Sequence, residues 1–175
     1  FLAGDKIGTL TTDKKVKGNV TVYSLNSVGN AQILWKKVST VTSYNVIFKD
    51  GILTESYFEH RSGGEIEKFC KVTLDTDGGY SINHWKKGKY TLEPFSNFCV
   101  AAIYFNEPKD GQKMLDETWG EYVTIKKTGT GVYEFKAKDG DKNVYHYANG
   151  KITERFDSVF DAEEISDALT RAGVS

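Results

Sequence analysis

Glycine-centred turns at hairpin spacing constrain this chain more than any other feature. Gly4-Asp5, Asp50-Gly51, Gly63-Gly64, Asp77-Gly78-Gly79, Lys87-Gly88, Gly129-Thr130-Gly131, Asp139-Gly140 and Asn149-Gly150 punctuate it. Each suits the positive φ of a tight reversal. Between them lie runs of strand length: Tyr44 to Lys49, Ile52 to Arg61, Ile66 to Thr76, Tyr80 to Lys86, Tyr122 to Lys127, Val132 to Lys138 and Asn143 to Ala148. The pattern predicts an antiparallel meander. Gln32 to Lys49 is too long for one strand, so a break is expected near Ser39 or Thr40.

Residue usage agrees. Val, Ile, Thr and the aromatics number 63 against 19 for Leu, Ala and Met together, and 17 Gly stand against 2 Pro. This is the composition of a mainly β chain with glycine turns. At 175 residues it fits one domain of ordinary size, read as a curled β-sheet domain over residues 1–156 with an extension over 157–175 packed on it. A net charge of −1 offers no field for gathering phosphates, so nucleic acid is not an expected partner. No apolar run approaches the ~18 residues of a membrane helix. The chain opens at Phe1 with neither a Met nor a basic-then-apolar leader, which reads as a processed form or a fragment.

Two segments break the strand pattern. Phe95 to Phe105 is apolar nearly all round, with Ser96 or Asn97 available as a cap, and predicts a buried helix over Asn97 to Phe105. Asp161 and Glu164 can form a capping box ahead of the stripe Ala162, Ile165, Ala168, Leu169 and Ala172, with Gly173 as terminator, which predicts a short amphipathic C-terminal helix. Residues 157–175 carry net −4, leaving +3 on the rest. Cys70 and Cys99 have no CxxC spacing, and Cys99 lies in an apolar run, so both are expected as packed, unpaired thiols.

Alternation within the strands sorts the side chains. Ile66, Cys70, Val72 and Leu74 share a face opposite Glu67, Phe69, Lys71 and Thr73. Tyr133, Phe135 and Ala137 oppose Val132, Glu134 and Lys136, and Tyr145 with Tyr147 opposes Val144 and His146. Aromatics thus collect on one inward surface. A sheet lined this way curls around its own side chains, a plug or an apolar ligand.

Chemical motifs are scarce. His60, His84 and His146 show no metal-ligand spacing, and neither GxSxG, GxGxxG nor a P-loop occurs. No catalytic residue, metal or cofactor is assigned. Glu55, Glu59, Glu121 and Glu134 could be paired for glycoside chemistry only by choosing strands at will. Phe58-Glu59-His60-Arg61 reads as a solvated strand end. His84-Trp85-Lys86-Lys87-Gly88-Lys89-Tyr90 interleaves bases with aromatics and could stack on bases or sugars, or form a solvated hairpin tip. The constellation retained is Tyr80, His84, Trp85 and Trp119, whose apolar rings carry polar tips and suit the rim of a pocket for an amphipathic ligand. Trp35, Tyr57, Tyr133 and Tyr147 are further aromatic candidates, and a plain core is the alternative reading.

The blocks Ala102-Ile103-Tyr104-Phe105-Asn106-Glu107-Pro108, Glu117-Thr118-Trp119-Gly120-Glu121 and Tyr145-His146-Tyr147-Ala148-Asn149-Gly150, with the opening Gly4-Asp5-Lys6-Ile7-Gly8-Thr9, resemble an uncharacterised family of exported bacterial domains with a lipocalin-like curled sheet. The resemblance runs over roughly residues 1–155. It implies an exported, periplasmic or cell-envelope location and an antiparallel barrel or half-barrel with a helix packed inside, and it transfers no activity, cofactor or catalytic residue. The expectation is therefore a non-enzymatic envelope protein binding a lipid or other apolar or amphipathic small molecule. The alternatives are a structural or protein-interaction module with a filled barrel and, third, a hydrolase without a readable motif.

Overall fold

The computed structural model describes residues 8–33, 36–94 and 98–157. Within them the chain is mainly β and wholly antiparallel in its sheets. Seven strands run in sequence order across one sheet: β1 (Gly8–Lys17), β2 (Val20–Ile33), β3 (Lys36–Lys49), β4 (Ile52–Ser62), β5 (Glu65–Leu74), β6 (Tyr80–His84) and β7 (Gly88–Leu92). A four-stranded meander follows, of β10 (Lys126–Gly129), β11 (Val132–Lys136), β12 (Lys142–Ala148) and β13 (Lys151–Asp157). Between the two lie the hairpin β8 (Lys113–Asp116) and β9 (Glu121–Thr124) and a single helical turn, α1 (Val100–Ile103).

Turn chemistry sets the meander. At Asp50-Gly51 and Asn149-Gly150 both residues have positive φ, at 54° and 76° and at 53° and 73°. These values match the two-residue hairpin turn whose twist suits the flanking strands. The long β2 and β3 pair from Val20↔Lys49 to Ile33↔Lys36, so the break falls between Ile33 and Lys36 and not at Ser39 or Thr40. The run there, rich in Thr and Val, is strand-compatible and holds no Gly, Pro, Asn or Asp, so it continues the ladder.

The sheet is not a closed barrel. β1 and β7 are its two edges and do not pair with each other. Irregularities in register between Ile47 and Phe48 and between His60 and Arg61 kink the central strands. The second also explains Ile66, which was expected on the core face with Cys70 and Val72. Beyond the bulge it pairs with Arg61 and is exposed, while Cys70 and Val72 are fully buried.

Two apolar cores flank the central hairpin and turn. One gathers Tyr23, Leu25, Val46, Phe48, Leu53, Phe58, Val72, Tyr80 and Ile82 from the large sheet. The other gathers Tyr133, Phe135, Tyr145 and Tyr147 from the small sheet, on the inward aromatic face expected from alternation. Adjacent residues of the middle layer part between them. Leu115 joins the first core and Met114 the second; Ala101 and Ala102 join the first, Val100 and Ile103 the second. A layer buried on both faces must be apolar all round, which is why Phe98 to Phe105 reads that way.

The expected helix over Asn97 to Phe105 is a correction. Among its described residues only Val100–Ile103 is helical, all four residues buried; Cys99 before it is extended and bridges to Leu115. Sheet-like pairing reaches Cys99 from β8 and leaves room for one turn. Tyr122 to Lys127 also divides, because Ile125 is buried between β9 and β10 and its N–H donates to the Gln112 carbonyl at 2.9 Å. The amphipathic C-terminal helix, the Ser96 and Asn97 caps and Trp35 lie outside the described residues.

Candidate functional site

The turn Asp116-Glu117-Thr118-Trp119-Gly120 between β8 and β9 docks on the ends of β5, β6 and β7, and each of its residues is committed to a contact there or in the middle layer. The Asp116 carboxylate accepts the Thr118 N–H at 3.0 Å, closing a local turn. The Thr118 hydroxyl lies 2.9 Å from the Tyr44 hydroxyl. Gly120 has φ 59°, and a side chain there would meet Tyr90, Ile82 and Cys70 at under 3 Å, so only glycine allows this approach. The Tyr90 hydroxyl reaches the carbonyls of Trp119 and Gly120, each at 3.0 Å.

Three of the four residues singled out in the sequence meet at this turn. The His84 ring stacks on Trp85 with centroids 3.7 Å apart and lies 5.6 Å from Trp119; the two tryptophans are 5.1 Å apart. Alternation puts His84 on the core face of β6, and the tight turn after it folds Trp85 back beside it. His84 is buried, and its Nδ1 accepts the N–H groups of Lys86 and Lys87 at 3.0 and 3.2 Å. The proton therefore sits on Nε2. Burial, with Lys87 and Lys86 nearby, lowers its pKa to about 4, so the stack is neutral at pH 7. Trp85 and Trp119 remain half-buried.

Tyr80 does not join them. It is fully buried in the large-sheet core, and its hydroxyl donates to the Leu53 carbonyl at 3.1 Å. A phenol four residues from His84 shares its face but sits at the other end of the strand, under the core.

Beside Trp119 an open groove of about 460 Å³ runs between the β8–β9 hairpin and the β11–β12 turn. Trp119, Tyr122 and Val123 form its apolar side, and Glu121, Lys136, Lys138 and Asp139 bring both signs of charge. Its volume lies in the ~300–1,000 Å³ range of small-molecule sites. Glu121 bonds Lys87 at 2.6 Å and Lys138 at 3.3 Å. Partial burial pushes its carboxyl up, but the two ammonium groups outweigh that and hold it below the usual range. Lys87 also lies 5.6 Å from the Trp119 ring centroid, within cation–π reach.

Two buried acids were not legible in the sequence. Glu117 is fully buried and accepts the N–H groups of Val100 at 2.8 Å and Ala101 at 2.9 Å, so it caps α1 from a distance. Burial raises it to about 7 against the pull of these bonds, and burial raises Asp116 to about 6. Adjacent acids after Met114-Leu115 give no local sign of burial. The glycoside candidates do not converge. Glu59 bonds Arg61 and Tyr57 on the outer face of β4, Glu134 pairs with Lys142, and Glu121 holds the groove lysines. His60 Nδ1 lies 2.7 Å from the Thr42 hydroxyl. Among the described residues no three His, Cys, Asp or Glu side chains cluster as metal ligands. Cys70 and Cys99 are free and buried, as expected.

No curated protein matches this chain. Among solved structures it is similar to the crystal structure of a DUF1089 family protein from Pseudomonas aeruginosa, at 12% identity and a TM-score of 0.44, with 90% of this chain and 93% of that chain covered. The family model for DUF6134, a domain of unknown function, matches residues 1–157, and the chain belongs to that family.

Proposed function

We propose that this chain is a non-enzymatic binding module for an amphipathic small molecule, seated at Trp119 and the groove beside it. In this reading the large sheet is a lipocalin-like half-barrel, and the protein is exported to the cell envelope, as the family resemblance implies. One observation carries the binding site. A buried, neutral histidine stacks against two tryptophans that stay half-buried, and one of these forms the wall of a groove with open access. Aromatic faces backed by a rigid shell and edged by a few polar groups are the ordinary make-up of a small-molecule site. The raised carboxyls of Asp116 and Glu117 are bound to backbone N–H groups, which favours binding over hydrolysis.

The test is binding of the uncharged dye Nile red to the folded protein. Its fluorescence should rise, and Trp119→Ala should weaken binding at least fivefold with the far-ultraviolet spectrum unchanged. Absent binding, or binding indifferent to Trp119, favours a protein-interaction module instead. That second reading draws on the exposed apolar residues Ile52, Tyr57 and Ile66 of β4 and β5. Cell fractionation tests the envelope location.

A further inference from the structure

The lining of the groove narrows the ligand class. A phosphorylated ligand meets Glu121, Asp139 and Asp116 on the same walls. An acyl chain strips water from these charges and from Lys136 and Lys138 and gives them no hydrogen bond in return, while it packs only on the side formed by Trp119, Tyr122 and Val123. A sugar ring suits both halves. Its hydroxyls donate to carboxylates and accept from ammonium groups, while its C–H face is apolar and packs on an indole. Trp119 offers that indole on the groove wall, with Tyr122 beside it.

We propose that the groove beside Trp119 binds a short neutral oligosaccharide, with a pyranose face on the Trp119 indole and hydroxyls shared between Asp139 and Lys136. The assignment rests on the reading of Trp119 as the binding site and names its ligand class. Lys136 is exposed at the end of β11. Asp139 tops the β11–β12 turn, where one carboxylate oxygen accepts the Asp141 N–H at 3.0 Å and the other is left for a ligand hydroxyl.

The experiment is titration calorimetry of the whole chain with cellotriose and with chitotriose, beside Nile red binding to the same samples. At least one trisaccharide should bind. Lys136→Met and Asp139→Asn, which keep the β11 stem and the turn bond, should weaken it at least fivefold with the far-ultraviolet spectrum unchanged. Trisaccharide binding that survives both substitutions overturns the placement. Nile red binding at Trp119 without trisaccharide binding at millimolar concentration overturns the ligand class and leaves the binding-module reading standing. Loss of both signals overturns both.

Discussion

The Glu117 carboxylate accepts the backbone N–H of Val100 at 2.8 Å, across 17 residues of chain and in the centre of the molecule. Its second oxygen takes the N–H of Ala101, and the Cys99 thiol donates to it as well. A one-turn helix has almost no internal hydrogen bonding to hold it. Glu117 therefore does for α1 what its own sequence does not, and it ties the β8–β9 turn to the middle layer.

Glu117→Ala should destabilise the fold by about 3 kcal/mol, because it leaves two buried N–H groups without acceptors and opens a cavity. Denaturant unfolding monitored by tryptophan fluorescence measures this. A change below about 1 kcal/mol would mean that other acceptors serve α1.

Stability should fall as pH rises through the carboxylate range. Glu117 ionises near 4.5 in the unfolded chain and near 7 in the fold. Between those values the folded state keeps a proton that the unfolded state has lost. The contribution of Glu117 is thus full below pH 4.5, declines to about pH 7 and is level above, by about 3 kcal/mol at 1.36 kcal/mol per unit. Asp116, raised from 3.8 to about 6, adds in the same direction, while His84, lowered from 6.5 to about 4, opposes both between those values, so the net fall is smaller than the two acids alone would give. Glu117→Gln should flatten the part between about pH 6.5 and 7, where the shifts of Asp116 and His84 no longer act, and an unchanged slope there would assign it to another group.

Gly120→Ala should cost about 3 kcal/mol, summing an L-residue at φ 59° with overpacking against Tyr90, Ile82 and Cys70. Gly51→Ala, at φ 76° with open space around it, should cost about 1 kcal/mol. Equal losses in thermal or denaturant unfolding would show that the close approach at Gly120 relaxes freely.

Both thiols should be unreactive in the folded protein. Burial raises Cys70 to about 12 and Cys99 well above its usual value, so thiolate is scarce at pH 8. Ellman's reagent should modify neither thiol in the native state and two after denaturation without reductant. Finding none in denaturant would mean a disulfide.

Much of the fold was legible in the residues because its causes are local. A two-residue turn such as Asn149-Gly150 needs only its own positive φ, and alternation alone put Tyr133, Phe135, Tyr145 and Tyr147 on one face. The same local rules brought His84, Trp85 and Trp119 forward as candidates. They could not separate Tyr80 from them, since burial under the core depends on which end of the strand the middle layer covers.

What only the tertiary structure decided was the layering. The apolar run Phe98 to Phe105 is equally compatible with a long helix, a buried strand or the single turn it forms. The choice was made by partners distant in sequence: Glu117 at its start, and Tyr147, whose hydroxyl donates to the Ile103 carbonyl at 2.6 Å. Burial of Glu117 and Asp116 and the groove at Trp119 follow from that layering, because a side chain's solvent exposure is set by what packs over it. By itself the sequence determined an antiparallel meander with one aromatic face, since turn conformation and strand alternation act over a few residues. Where the large sheet ends, what lies between the two cores and which polar groups are buried there came from contacts that form only when distant segments meet.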